Sequence, residues 1–203
     1  MMILHASTDD LQRFAGKFGE DEARKASVEF TEWSKGIESR IAIWHAGQVF
    51  RAAKRLGQAQ CRGFNAIAVY YASLTLWIYG LMTSASEPSS TSNPRQTERL
   101  TKERIVLNEA EISSVRSWRS TDDGTPGLSV VSPDGRSEHF VPLGATDRIL
   151  HFARELYRYN FPSGDASTDG SMPPLVENLG NLLRDLGSLP GSRVSRAPSE
   201  GAG

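Results

Sequence analysis

Residues 64–82 read FNAIAVYYASLTLWIYGLM. No Asp, Glu, Lys or Arg interrupts the run, it contains no Pro, and its one glycine, Gly80, stands near its end. The run is too long for a single strand. Wound as a helix it is apolar nearly all round, and such a helix must be buried in protein or in lipid. Its length is at the low end for crossing a bilayer. It also carries Asn65, Ser73 and Thr75, and many of its apolar residues are Ala or Tyr rather than Leu. The expectation is therefore a core helix covered by the rest of the chain, with a single membrane span as the alternative.

Upstream, Ile37, Ile41, Trp44, Val49, Ala52 and Leu56 mark an apolar stripe with Ala42, His45 and Ala53 at its edges, while Arg40, Arg51, Lys54 and Arg55 point elsewhere. Gly57 reads as the stop of that helix, and Gln58–Gly63 as a short link to the core helix. Residues 21–33 give a weaker face. Residues 5–18 predict a short amphipathic helix capped by Ser7 or Thr8, with Asp9 and Asp10 in its first turn and Leu11, Phe14, Ala15 and Phe18 on one face. The opening MMILHASTDDLQRF lacks the basic leader and the long apolar stretch of a signal peptide.

Downstream the composition changes at once. Ser84–Thr97, SASEPSSTSNPRQT, is almost free of apolar side chains and reads as a disordered loop or insertion. Ile105–Leu107 is a short apolar run. Asn108 then reads as the cap of a helix over about 109–119 whose apolar face is Ile112, Val115 and Trp118. Residues 121–143 are rich in turns, with a two-stranded hairpin around SPDG or an irregular covering loop as the alternatives. From Thr146 or Asp147, as caps, the helical pattern returns with Ile149, Leu150, Ala153, Leu156, Tyr157 and Phe161, until Pro162 ends it. After a polar loop, Ser163–Ser171, Pro173 or Pro174 opens a last helix carrying Leu175, Leu179, Leu182, Leu183 and Leu186 on one side.

The expected fold class is all-α: an irregular helical domain built round a buried apolar helix, with at most a small β-hairpin and disordered loops. Its organisation is one domain in two halves. Residues 1–83 form the N-terminal helical half, 84–103 the Ser/Pro-rich insertion, 104–187 the C-terminal helical half, and 188–203 a disordered tail.

The 203 residues carry 23 Lys and Arg against 24 Asp and Glu, a formal net charge of −1, which lacks the strongly basic footprint of a DNA-binding module. Cys61 is the only cysteine, so no internal disulfide can form. His5, His45, His139 and His151 are scattered without metal-ligand spacing, and a structural zinc site needs about four N or S ligands. The sequence holds no GxSxG, P-loop, GxGxxG or HExxH motif. His45 reads as a half-buried histidine and Cys61 as a small buried hydrophobe beside a helix start, where a thiol pKa can fall. Gly124, Gly127 and Gly135 read as turn glycines. Glu109 and Glu111 are explained by a helix dipole, and Tyr70, Tyr71, Trp77 and Tyr79 by a core at helical spacing. No catalytic, cofactor-binding or metal-ligating residue is assigned.

WHAGQVFRAAKRL followed by RGFNAIAVYYASLTLWIYGLM resembles the C-terminal part of the fungal-specific transcription factor domain, the regulatory region downstream of the zinc modules of fungal regulators. The matching segments are His45–Arg51, Ala66–Gly80, Ile105–Glu111 and Pro173–Leu186, in that order. The family's zinc-dependent DNA-binding module is absent. The resemblance implies an all-α fold, a nuclear setting and a regulatory or interaction role through protein partners, self-association or a small-molecule effector. It carries over no zinc and no direct DNA binding to this chain; from the reading of residues 64–82, no membrane partner is expected. A small metal-independent helical enzyme using the region of His45 is the competing functional reading.

Overall fold

The computed structural model describes residues 5–86, 102–131, 137–161 and 171–188. Its helices are α1 (Thr8–Phe14), α2 (Glu20–Trp33), α3 (Ile37–Ala53), α4 (Phe64–Ser86), α5 (Ser113–Thr121), α6 (Thr146–Asn160) and α7 (Pro174–Gly187), and its strands β1 (Arg104–Val106), β2 (Thr125–Val131) and β3 (Glu138–Pro142). The chain is mostly helical with a small three-stranded sheet.

The apolar run forms α4, and α1, α2, α3, α6 and α7 all pack against it. Every residue from Ala72 to Gly80 is buried. The two hydroxyls in this stretch are satisfied inside the helix: Ser73 Oγ donates to the Val69 carbonyl at 2.6 Å and Thr75 Oγ1 to the Tyr71 carbonyl at 2.9 Å. Their burial therefore leaves no orphan donor. The first turn departs from the expectation of complete burial, since Phe64 is 79% exposed. By length and composition Phe64–Ala85 would pass for a membrane span, with mean hydropathy 1.4, yet 67% of that window is buried inside the protein.

Two glycines set how closely the layers approach. A Cβ on Gly80 would lie 2.1 Å from the Leu143 carbonyl oxygen, and one on Gly47 would lie 2.4 Å from the Leu107 carbonyl oxygen. Only a hydrogen at these positions lets the peptide backbone that leaves β3 rest on α4, and the backbone that leaves β1 rest on α3. The buried face of α3 differs in part from the expected stripe. Trp44 of that stripe and Ala42 at its edge are buried, together with Ile43, Ala46, Gly47 and Phe50, whereas Ile37 and Ala52 are exposed. At the closest approach, to the Leu107 backbone, the residue is a glycine.

Arg40, expected to point away, is 7% exposed. Its Nε donates to the Arg119 carbonyl at 2.9 Å and its guanidinium lies 3.8 Å from the Asp122 carboxylate. It thereby satisfies the C-terminal end of α5, where a cation is favoured, and Asp122 closes that helix in the left-handed region with φ 61°. Helix α3 itself stops at Ala53, short of Gly57.

The sheet exceeds the expected hairpin. β2 and β3 pair antiparallel, as the SPDG reading requires, with Leu128 opposite Val141. The third strand is β1, parallel to β2 with Ile105 opposite Pro126, and α5 makes the crossover between them. Three residues of strand carry too little alternation to be read from sequence. Asn108, expected as a helix cap, continues this ladder instead. Its Nδ2 donates to the Ser129 carbonyl and its Oδ1 accepts from the Ser129 N–H, both at 2.8 Å. Helix α5 starts only at Ser113, with Ile112 as its N-cap.

On α6 every residue of the expected stripe is buried, but neither Thr146 nor Asp147 caps it; Ala145 holds the N-cap position. On α7, Val176, Leu179, Leu183 and Leu186 are buried, and Leu175 and Leu182, expected on the same side, are 42% and 47% exposed. Phe18 likewise lies beyond the end of α1, which Gly16 terminates with φ +90°. Helix α4 runs to Ser86, so the boundary expected at 84 falls inside a helix. Most of the Ser/Pro-rich segment, the 163–171 loop and the 188–203 tail lie outside the described residues.

Asn160 joins the last turn of α6 to the link between α3 and α4. Its side-chain oxygen accepts from the Cys61 N–H at 2.7 Å, its Nδ2 donates to the Gly57 carbonyl at 3.0 Å, and its own carbonyl accepts from the Ala59 N–H at 2.8 Å. Ala59 is held at φ 59°, a conformation that a non-glycine residue adopts at a cost. Above this clamp Tyr157 Oη donates to the Ala66 carbonyl at 2.8 Å, beside the start of α4.

Candidate functional site

His45 lies on the half-buried edge of α3. Its ring stacks on His5, centroids 6.3 Å apart and planes 14° apart. Burial lowers its pKa, with the nearby His5 and Arg119 acting in the same direction and Glu111 opposing them. His5 is tied at Nδ1 to the Glu38 carboxylate, and its carbonyl accepts from Trp33 Nε1 at 2.8 Å. A concavity of about 310 Å³ opens beside this cluster, lined by His5, Ala6, Ser7, Asp10, Glu29, Phe30 and Trp33. His45 is not among its walls. The one residue that the enzymatic reading rests on faces the His5 ring, which is itself paired with Glu38.

Cys61 is buried, and burial alone pushes its thiol up to about 11. The nearby start of α4 does not overcome this desolvation. Trp77 and Tyr79 are core residues, and burial raises the Tyr79 hydroxyl to about 12. Tyr70 and Tyr71 meet edge to face at 5.5 Å on the half-buried side of α4, and Tyr71 accepts from the Gln12 side chain. Glu111 precedes α5 and pairs with Arg119, whose guanidinium lies 6.0 Å from the centre of the Trp44 ring. Gly124 packs in front of Ile105, and Gly127 belongs to β2 rather than to a turn. Gly135 lies outside the described residues. Among the described residues no group of three or more His, Cys, Asp or Glu side chains converges as for a metal.

Two groups escaped sequence reasoning. The first joins motif to motif: Gln48 Nε2 donates to the carbonyls of Leu107 and Glu109, both at 2.8 Å, next to the close approach of Leu107 to Gly47. The second is a broad groove of about 630 Å³ over the outer face of the sheet, lined by Arg104, Glu138, His139, Phe140, Pro142 and Arg148. Its residues come from β1, β3 and the first turn of α6, so no single stretch of sequence announces it.

These features define a mostly helical domain whose sheet is seated on α3 and α4. Comparison with models of known protein families, with curated proteins and with solved structures finds no match.

Proposed function

We propose that this chain is a regulatory or interaction domain of the kind found in fungal transcription regulators, acting in the nucleus through protein partners or a small-molecule effector, without a DNA-binding module of its own. The observation that carries this reading is the junction at Gly47 and Gln48. HAGQ, the first segment of the resemblance, and Ile105–Glu111, the third, are far apart in sequence. They meet through two hydrogen bonds from one glutamine and a backbone approach that only glycine allows. The second segment, α4, packs directly on the first, and the fourth, α7, packs on α4 and α6. The four segments thus act as one packed unit, as a shared regulatory domain requires. An all-α scaffold is the fold that the resemblance implies; here a small sheet is added to it.

The test is tethering. The chain is fused to an unrelated DNA-binding module and its effect on a reporter gene is measured in fungal cells. The expected result is reporter output that differs from that of the DNA-binding module alone, and loss of the difference in the Gly47→Val variant. A stable, nuclear wild-type fusion with no effect on output overturns the reading. So does tight, sequence-specific DNA binding by the purified chain in a gel shift at physiological salt.

A further inference from the structure

We infer that the groove over the outer sheet face is a binding site for a small molecule carrying a phosphate group. The site is built from the strand upward. Gly127 in β2 has no side chain, and a Cβ there would fall 2.5 Å from Phe140 Cζ. The Phe140 ring of β3 therefore lies across β2 in the space a side chain would fill, as aromatic residues do over strand glycines. On that ring rests the Arg104 guanidinium of β1, 5.6 Å from the ring centre.

A guanidinium held on an aromatic face keeps its N–H donors for ligands, and a fork of this kind matches phosphate oxygens. Among the described residues neither Arg104 nor Arg148 makes a hydrogen bond or ion pair through its guanidinium. Arg13, Arg40 and Arg119 are paired with carboxylates; what marks Arg104 among the described arginines without such a pair is its seat on the Phe140 ring. Arg148 closes the far wall from the first turn of α6, and His139 adds an imidazole whose Nε2 lies 3.1 Å from Ser137 Oγ. Among the described residues Glu138 is the one acid in the lining against two arginines, so their charges leave that wall positive.

The number of cations limits the partner. Two arginines suit one phosphate, whereas a nucleic acid backbone needs a longer basic track, and the chain as a whole has a net charge of −1. The site is read from the groove itself and does not depend on the regulatory role; where that role holds, it supplies the class of effector.

The test is a titration of the full chain, 15N-labelled, with inorganic phosphate, at constant ionic strength set by sodium chloride, observing the arginine Nε–H signals by NMR. Saturable shifts of Arg104 and Arg148 are expected, while Arg24 and Arg158 on the helical surface stay still. Arg148→Gln, at an exposed position, is expected to weaken binding about tenfold, the loss of one charge-assisted hydrogen bond. Phe140→Leu keeps both charges but removes the seat of Arg104, and is expected to weaken it as well. Glu138→Gln is expected to tighten it. Shifts that are linear in phosphate, that chloride reproduces, or that spread equally over Arg24 and Arg158 overturn the inference. Saturation by acetate as tight as by phosphate overturns its assignment to phosphate. Tight binding of a duplex oligonucleotide that Arg148→Gln abolishes would place a nucleic acid there instead. A silent reporter with saturable phosphate binding would fault the regulatory reading alone.

Discussion

Replacing Gly80 by alanine tests the central packing relation of this fold. In an ordinary helix interior the change favours the folded state by about 1 kcal/mol, because glycine is the poorer helix former. Here the new methyl carbon would sit 2.1 Å from the Leu143 carbonyl oxygen, 2.9 Å from its carbonyl carbon and 3.1 Å from Thr146 Cγ2. Ordinary contact requires over an ångström more, and the obstructing atom is backbone, so α4 and the start of α6 must separate. Overpacking of a core costs about 1–3 kcal/mol or more. A clash with rigid backbone belongs at the upper end, leaving a net loss of about 2 kcal/mol after the propensity gain. For a chain of this size that lowers the melting temperature by roughly 4–8 °C. The same substitution at Gly180 on α7 is the internal control. Its Cβ would meet Tyr157 Cδ2 at 3.8 Å, an ordinary contact, so Gly180→Ala is expected to stabilise. Urea unfolding followed by circular dichroism measures both. If Gly80→Ala and Gly180→Ala stabilise alike, the packing of β3's exit on α4 is wrong.

Asn160→Ala removes both side-chain bonds of the α6 clamp. Leaving the buried Cys61 N–H without a partner is expected to cost about 1–3 kcal/mol in denaturant unfolding, and losing the bond to the more exposed Gly57 carbonyl, which water can reach, about 1 kcal/mol more; a change below experimental error would refute the clamp. Tyr157→Phe removes the bond to the Ala66 carbonyl and is expected to cost about 1 kcal/mol in the same measurement. Stability is expected to fall in alkali. Burial raises Cys61 to about 11, Tyr79 to about 12, and Tyr70 and Tyr157 above their usual value, so the folded chain holds protons that the unfolded chain releases first. Their contribution is complete below the unfolded values, about 9 for the thiol and about 10 for the phenols, and is lost as pH rises through the folded ones. A melting temperature that stays level from neutral pH to about 11 would contradict this, and Cys61→Ala is expected to remove the earliest part of the fall.

The sequence by itself determined the central helix, because an uncharged run without proline at 64–82 has few other ways to satisfy its backbone and hide its side chains. It also determined the buried face of α6, whose apolar spacing is regular; for residues 121–143 it left a hairpin and an irregular covering loop both open, and the pairing of β2 with β3 decided between them. Tertiary structure alone decided the face of α3, the third strand and the candidate groove. On α3 the closest approach is made at Gly47, a residue that carries no hydrophobic signal and works by what it lacks. Strand β1 exists because β2 lies beside it, and Asn108 prolongs that pairing with a side chain that sequence reads as a cap. Arg104, Phe140 and Arg148 share a wall although each belongs to a different element. Periodicity reports what a single element buries. It does not report which two backbones will touch, and here that contact is decided by glycines and polar side chains that have meaning only once the layers have met.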